Sequence, residues 1–223
     1  MIDNQKEQIK ATILELVEEM KKRNEFKKVY YWKNLNTNPP LLTSQLGKIN
    51  LVMHNGTEMQ HLLPFIVPLL SSRDAIYISV TKTYAHLEDA FKDHKTAFNK
   101  TMFVDCASNF LFNPPSELEN GVIVDRPTTL RGLFTIIQNL ASTKTCELII
   151  VDALSDYITF DGNNFRLEKE FSQVLDEYKN SLENQHIILL FNVTHASKAN
   201  IPVLQFNEIF QVEVVVENMQ LKG

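Results

Sequence analysis

Near-continuous runs of Ile, Leu, Val and Phe recur along the chain at 49–54 (INLVMH), 75–81 (AIYISVT), 101–107 (TMFVDCA), 122–125 (VIVD), 147–154 (ELIIVDAL) and 186–194 (HIILLFNVT). Runs this short and this apolar predict strands buried on both faces. A last β-rich run, FQVEVVVE at 210–217, alternates polar and apolar at its start, which predicts an edge strand. Between the strands, apolar positions fall at helical spacing over 58–71, 84–96, 128–142 and 166–184. Strands with two apolar faces need helices above and below them. The predicted architecture is therefore α/β, a doubly wound, mostly parallel sheet flanked by helices.

Upstream of the first strand, Ile9, Ile13, Leu16, Val17 and Met20 share one stripe, so residues 4–23 are expected to form an amphipathic helix. The stretch that follows mixes aromatics with Asn, Thr and a Pro-Pro pair and shows neither period, as a connecting arm over the surface would. This divides the chain into an N-terminal helix and arm, 1–47, and an α/β domain, 48–223. In the helix expected at 166–184, Leu167, Phe171, Val174, Leu175, Tyr178 and Leu182 form the stripe that covers a sheet face. The helix expected at 128–142 starts at Pro127 and Thr128 or Thr129 and is otherwise apolar. That predicts cover beyond the sheet, from the N-terminal helix or a second subunit.

Composition narrows the function classes. At 223 residues and 44% hydrophobic the chain can bury one substantial core. Twenty-two Lys and Arg against 27 Asp and Glu give a net charge of −5, with no run of five like charges. Non-specific nucleic-acid binding draws its affinity from clustered cations, so nucleic acid is not the expected partner. The local cluster Lys21, Lys22, Arg23, Lys27 and Lys28 reads as the solvated end of a helix. Two cysteines, Cys106 and Cys146, lie beside or inside apolar runs and do not make a disulfide framework. The N-terminal residues lack an apolar signal core, and no stretch approaches the ~20 apolar residues that span a bilayer. A cytoplasmic protein without a membrane contact is expected.

Ligands of an open parallel sheet collect beyond the carboxyl ends of its strands. The residues there are Asn55, Gly56, Thr57 and Glu58 after the first predicted strand, and Thr81 and Lys82 after the second. Asp105 and Asp152 end the third and fifth, with Asp156 following, and Asn192, Thr194 and His195 end the sixth. A phosphate-binding loop needs glycines for converging N–H groups, a lysine, and a Ser or Thr hydroxyl for magnesium. The stretch after INLVMH reads NGTEMQHLLP, with one glycine and no lysine. Glu58 places a negative charge where phosphate charge would lie, and a carboxylate satisfies a helix N-terminus as a phosphate does. No nucleotide and no other cofactor is expected.

The order of elements, with ELIIVDALSD, AIYISVTKTYAHLEDAF and TMFVDCAS, resembles the RecA/KaiC-type ATPase domain. It is most similar to archaeal KaiC-like proteins in which that domain has a degenerate Walker A motif. The resemblance covers about residues 48–216. It implies that a Walker A loop would occupy 54–61, where its motif is absent. The catalytic glutamate that follows the second strand in active members is matched by Thr81 and Lys82, neither of which activates water as a carboxylate does. Asp152 matches the Walker B aspartate, and Asn192 or Thr194 a polar sensor. The expectation is a pseudo-ATPase: a regulatory or scaffolding module working through a protein partner or a homo-oligomer. Asp152 itself is expected to cap loop N–H groups at its strand end.

Two other classes stay open at this point. An enzyme or nucleotide-binding protein would gather Asp105, Asp152, Asp156, Asn192 and His195 into one strand-end ligand site. A nucleic-acid-binding relative of recombinase paralogues would show a basic stripe. Cys106 beside Asp105, with His195, suggests a Cys–His pair, but a thiol inside a core strand is expected to be inert. The histidines show no metal-ligand spacing, and no metal is expected. The loop 108–121 is long, aromatic and proline-bearing, and its Phe110, Leu111 and Phe112 mark a candidate binding patch.

Overall fold

The computed structural model describes residues 29–32, 46–55, 59–111, 115, 117–143, 145–152, 154–156, 173–180, 185–192 and 208–212. The strands are β1 (Val29–Trp32), β2 (Ile49–His54), β3 (Ala75–Ser79), β4 (Thr101–Asp105), β5 (Gly121–Ile123), β6 (Leu148–Asp152), β7 (His186–Asn192) and β8 (Glu208–Val212). The helices are α1 (Leu63–Ser72), α2 (Tyr84–Ala90), α3 (Lys95–Lys100), α4 (Leu130–Thr143) and α5 (173–180). The strands join in one sheet of order β1-β8-β2-β7-β6-β3-β4-β5, and every pairing between them is parallel. This is the expected α/β architecture, a parallel sheet flanked by helices and consistent with a RecA-like doubly wound sheet.

Alternation along the strands produces two cores. Ile49, Leu51 and Met53 of β2, Ile76 and Ile78 of β3, Ile149 and Val151 of β6, and Ile187, Leu189 and Phe191 of β7 share one face. There they meet Leu133, Phe134 and Ile137 of α4 and Val174, Leu175 and Tyr178 of α5. The residues between them, such as Val52, Tyr77, Ile150 and Leu190, face the other side under α1, α2 and α3. On that side Tyr84, Phe91, Phe98 and Phe103 form an aromatic cluster, with Phe98 stacked on Phe103 at 4.6 Å between ring centroids. Burying a residue such as Ile150 or Leu190 contributes about 1.5–3 kcal/mol before entropy is counted, so this two-sided pattern dominates the stability.

Several expectations are corrected. The β-rich run near the C-terminus was expected at a sheet edge; its described part, β8, lies inside the sheet between β1 and β2. The strand outside it, β1, comes from the arm expected to carry no element. Its VYYW sequence is β-prone, but it is too short to establish a period. The helix expected at 84–96 is two helices broken at Phe91–His94, where the Phe91 N–H donates to the Leu87 carbonyl and the His94 N–H to that of Phe91. The helix expected at 58–71 is a 3-10 turn, Met59–His61, followed by α1, whose Pro64 lies in its first turn.

The α4 helix is not apolar all round. Arg131, Thr135, Gln138 and Asn139 are exposed, and α5 supplies cover beyond the sheet. Phe134 meets Tyr178 edge-on at 5.1 Å, and Arg131 Nη1 lies 3.2 Å from Glu177 Oε2. The expected helices at 4–23 and at 166–172 and 181–184 lie outside the described residues.

Candidate functional site

Each central strand ends in a polar residue of one parity. His54, Ser79, Asp105, Asp152 and Asn192 continue the alternation of Val52, Tyr77, Phe103, Ile150 and Leu190, so all belong to the α1–α3 face at the carboxyl edge. All five are buried. Register sets their neighbours: His54 is level with Asn192, and Ser79 is level with both Asp152 and Asp105. The sequence reading singled out Asp105, Asp152 and Asn192 among these; Ser79 was missed because the apolar run was read through to Thr81, whereas the strand ends at Ser79.

The two aspartates have different partners. Asp105 is surrounded by donors: Tyr84 N at 2.6 Å, Ala107 N and Ser108 N at 2.8 Å each, and the Ser108 hydroxyl. It therefore fixes the start of α2 and the turn after β4 at once. Charge-assisted bonds of this kind are among the stronger ones in proteins. This is the loop-capping role expected of Asp152; among the described residues it is Asp105 that fills it.

Asp152 Oδ2 accepts from Lys82 Nζ at 2.6 Å. The Asp152 side chain is 3% exposed and that of Lys82 20%. Lys82 reaches it because β3 lies beside β6 and the loop after Ser79 folds over the strand end, where the Lys82 N–H donates to the Ser79 hydroxyl at 3.1 Å. Beneath the pair is Tyr77, whose hydroxyl is 3.5 Å from Met59 Sδ in the turn that follows β2. Burial above all, and then the negative charge of Asp152, hold this phenol protonated well above the ordinary tyrosine range. The Asp152 carboxylate therefore faces an ammonium and a neutral phenol.

Asp105 and Asp152 are separated by β3, and two inter-strand steps span about 10 Å. Both lie level with Ser79 at the carboxyl edge, Asp105 holding backbone N–H groups and Asp152 the Lys82 ammonium. Among the described residues no group of three or more His, Cys, Asp and Glu side chains is arranged to hold a metal ion. Asn192 is buried beside His54. Gly56, Thr57, Glu58, Thr194, His195 and the side chain of Asp156 lie outside what is described, and the description after β2 passes from Asn55 to Met59.

Cys106 follows Asp105 and is fully buried. Burial first, and the Asp105 charge second, push its thiol up to about 12, so the thiolate that would act as a nucleophile is strongly disfavoured. This agrees with the expected inert core cysteine. No described helix is long and apolar enough to cross a membrane.

Neither a protein-family model nor a curated protein matches the chain.

Proposed function

We propose that this chain is a non-catalytic KaiC/RecA-like domain, a pseudo-ATPase acting in the cytoplasm as a regulatory or scaffolding module through protein contacts. The observation that carries the reading is the Lys82–Asp152 ion pair. On the family's pattern Asp152 stands where a carboxylate serves magnesium, and Thr81 and Lys82 where a carboxylate activates water. With a lysine there, the aspartate is neutralised by the protein's own cation. A hydrated magnesium would have to displace that ammonium from a nearly buried carboxylate. Phosphoryl transfer depends almost wholly on positioning and charge stabilisation, so this substitution removes a central part of the chemistry. The single glycine and the missing lysine of NGTEMQHLLP point the same way.

The test is thermal unfolding of the purified chain with ATP or GTP and magnesium, alongside a turnover assay. A nucleotide present at a hundred times its Kd would add about 2.7 kcal/mol of stability. At about 2–4 °C per kcal/mol for a chain of this size, that is a rise of roughly 5–10 °C in Tm. The expected result is no saturable rise and no turnover. Saturable, magnesium-dependent stabilisation with hydrolysis abolished in Asp152→Ala refutes the proposal.

A further inference from the structure

The large apolar side chains exposed among the described residues are Phe110 at 74%, Leu111 at 48% and Val122 at 38%, all on one stretch at one end of the sheet. Beside them runs an open groove of about 550 Å³, lined by Asn109, Pro115, Glu117, Leu118, Val122 and Ile123. Its floor is β5, the last strand in the sheet order, whose one strand partner among the described residues is β4, with a single antiparallel bridge joining its Gly121 to Leu118. The Phe103 N–H donates to the Asn120 carbonyl and the Val124 N–H to the Asp105 carbonyl. In a parallel ladder this turns the backbone groups of Asn120, Val122 and Val124 toward β4 and those of Gly121 and Ile123 away from it. Ile123 therefore presents its N–H and C=O on the groove side of the strand. An edge of this kind is a template for an added strand.

The charges around the groove select the occupant. Between residues 109 and 126 they are Glu117, Glu119, Asp125 and Arg126, all exposed, which is three acids against one base. Glu117 lies in the groove wall. The Asp125 carboxylate accepts from Asn109 Nδ2 at 2.7 Å near the other end. Exposed apolar side chains framed by carboxylates fit a segment that alternates apolar and cationic residues.

We propose that the β5 groove docks an extended, lysine- or arginine-bearing segment of a partner protein, which joins the sheet as a further strand. Its apolar side chains lie on Phe110 and Val122 and a cation pairs with Glu117. The proposal rests on the protein-interaction reading above and gives it a surface and a partner chemistry.

The test is fluorescence anisotropy of the full chain with a labelled short peptide of alternating valine and lysine. Three comparison peptides replace lysine by glutamate, N-methylate the backbone amides along one edge, or scramble the alternation. The valine–lysine peptide is expected to bind, and each comparison peptide to bind at least tenfold more weakly. Glu117→Lys is expected to weaken the lysine peptide at least tenfold and to strengthen the glutamate peptide. Phe110→Ser is expected to weaken both. Equal binding of the lysine and glutamate peptides overturns the proposal, as does an N-methylated peptide that binds unchanged or no binding at all. Self-association in sedimentation that Phe110→Ser abolishes also overturns it, because a second copy is then the occupant. Nucleotide thermal shift on the same samples separates the two readings: nucleotide binding with the peptide result intact sinks the pseudo-ATPase alone, and the reverse pattern sinks the groove alone.

Discussion

Asp105 and Asp152 end strands that flank β3, at the same level and on the same face of the sheet, yet the fold uses them in opposite ways. Asp105 holds backbone: three N–H groups and a hydroxyl converge on it. Asp152 holds a cation from the next strand's loop. One carboxylate is part of how the chain turns, and the other is a charge held by a counter-charge. The lesson is that a strand-end aspartate is defined by what the neighbouring loop offers it.

The comparison is broken most strongly by Asp105→Ala. It strands three backbone donors, two of them buried, and the Ser108 hydroxyl, and about 4 kcal/mol of stability is expected to be lost in urea unfolding. Asp105→Asn keeps one acceptor oxygen and should lose about half as much. If Asp105→Ala unfolds at the wild-type urea midpoint, the scaffold role assigned to Asp105 is wrong.

Lys82→Met leaves the Asp152 carboxylate buried without its cation. Because Lys82 is itself partly exposed, the expected loss is about 2 kcal/mol, less than for a fully buried pair. The double variant Lys82→Met, Asp152→Leu should recover most of that loss, since the unpaired charge is gone. A double variant no more stable than Lys82→Met alone would mean that the pair is not what Lys82 contributes.

The pH dependence sharpens the Asp105 side. Cys106 has a folded-state pKa of about 12 against an ordinary 9.0, so the unfolded chain ionises first. The associated stability is fully present below about pH 9 and is lost as pH rises toward 12. Between pH 8 and pH 10 wild type should lose about 1.4 kcal/mol more than Cys106→Ala, read from urea midpoints at the two pH values. Equal losses in the two proteins would show that the thiol is not sealed. The smallest effect belongs to Ser108→Ala. It removes the hydroxyl from Asp105 but keeps the Ser108 N–H, and should cost about 1 kcal/mol in the same measurement.

Much of the fold was legible because its signals are local. An apolar run such as LIIVD cannot stay in water, and its length and β-branching fit a strand better than a helix. The elements that were misjudged lack such signals. VYYW offers too few residues to show a period, and the alternation at the start of β8 resembles an edge although the structure places β1 outside it. The break between α2 and α3 falls in FKDH, which holds neither Gly nor Pro. At the candidate site, Asp105 and Asp152 were readable one residue at a time as carboxylates ending apolar strands. That Asp105 caps its loop while Asp152 holds a cation was not, because both are aspartates ending apolar strands, and only the loops packed above them differ.

The sequence by itself determined that this chain builds a two-sided parallel sheet and carries buried-edge carboxylates, since burial preference and side-chain alternation act within a few residues. The tertiary structure alone decided that β3 lies beside β6, which brings Lys82 to Asp152 across 70 positions of chain, and that β5 is left outermost with its apolar neighbours exposed. Strand order arises from how helices pack onto the faces of the whole sheet, and a contact set by that order has no trace in the local pattern.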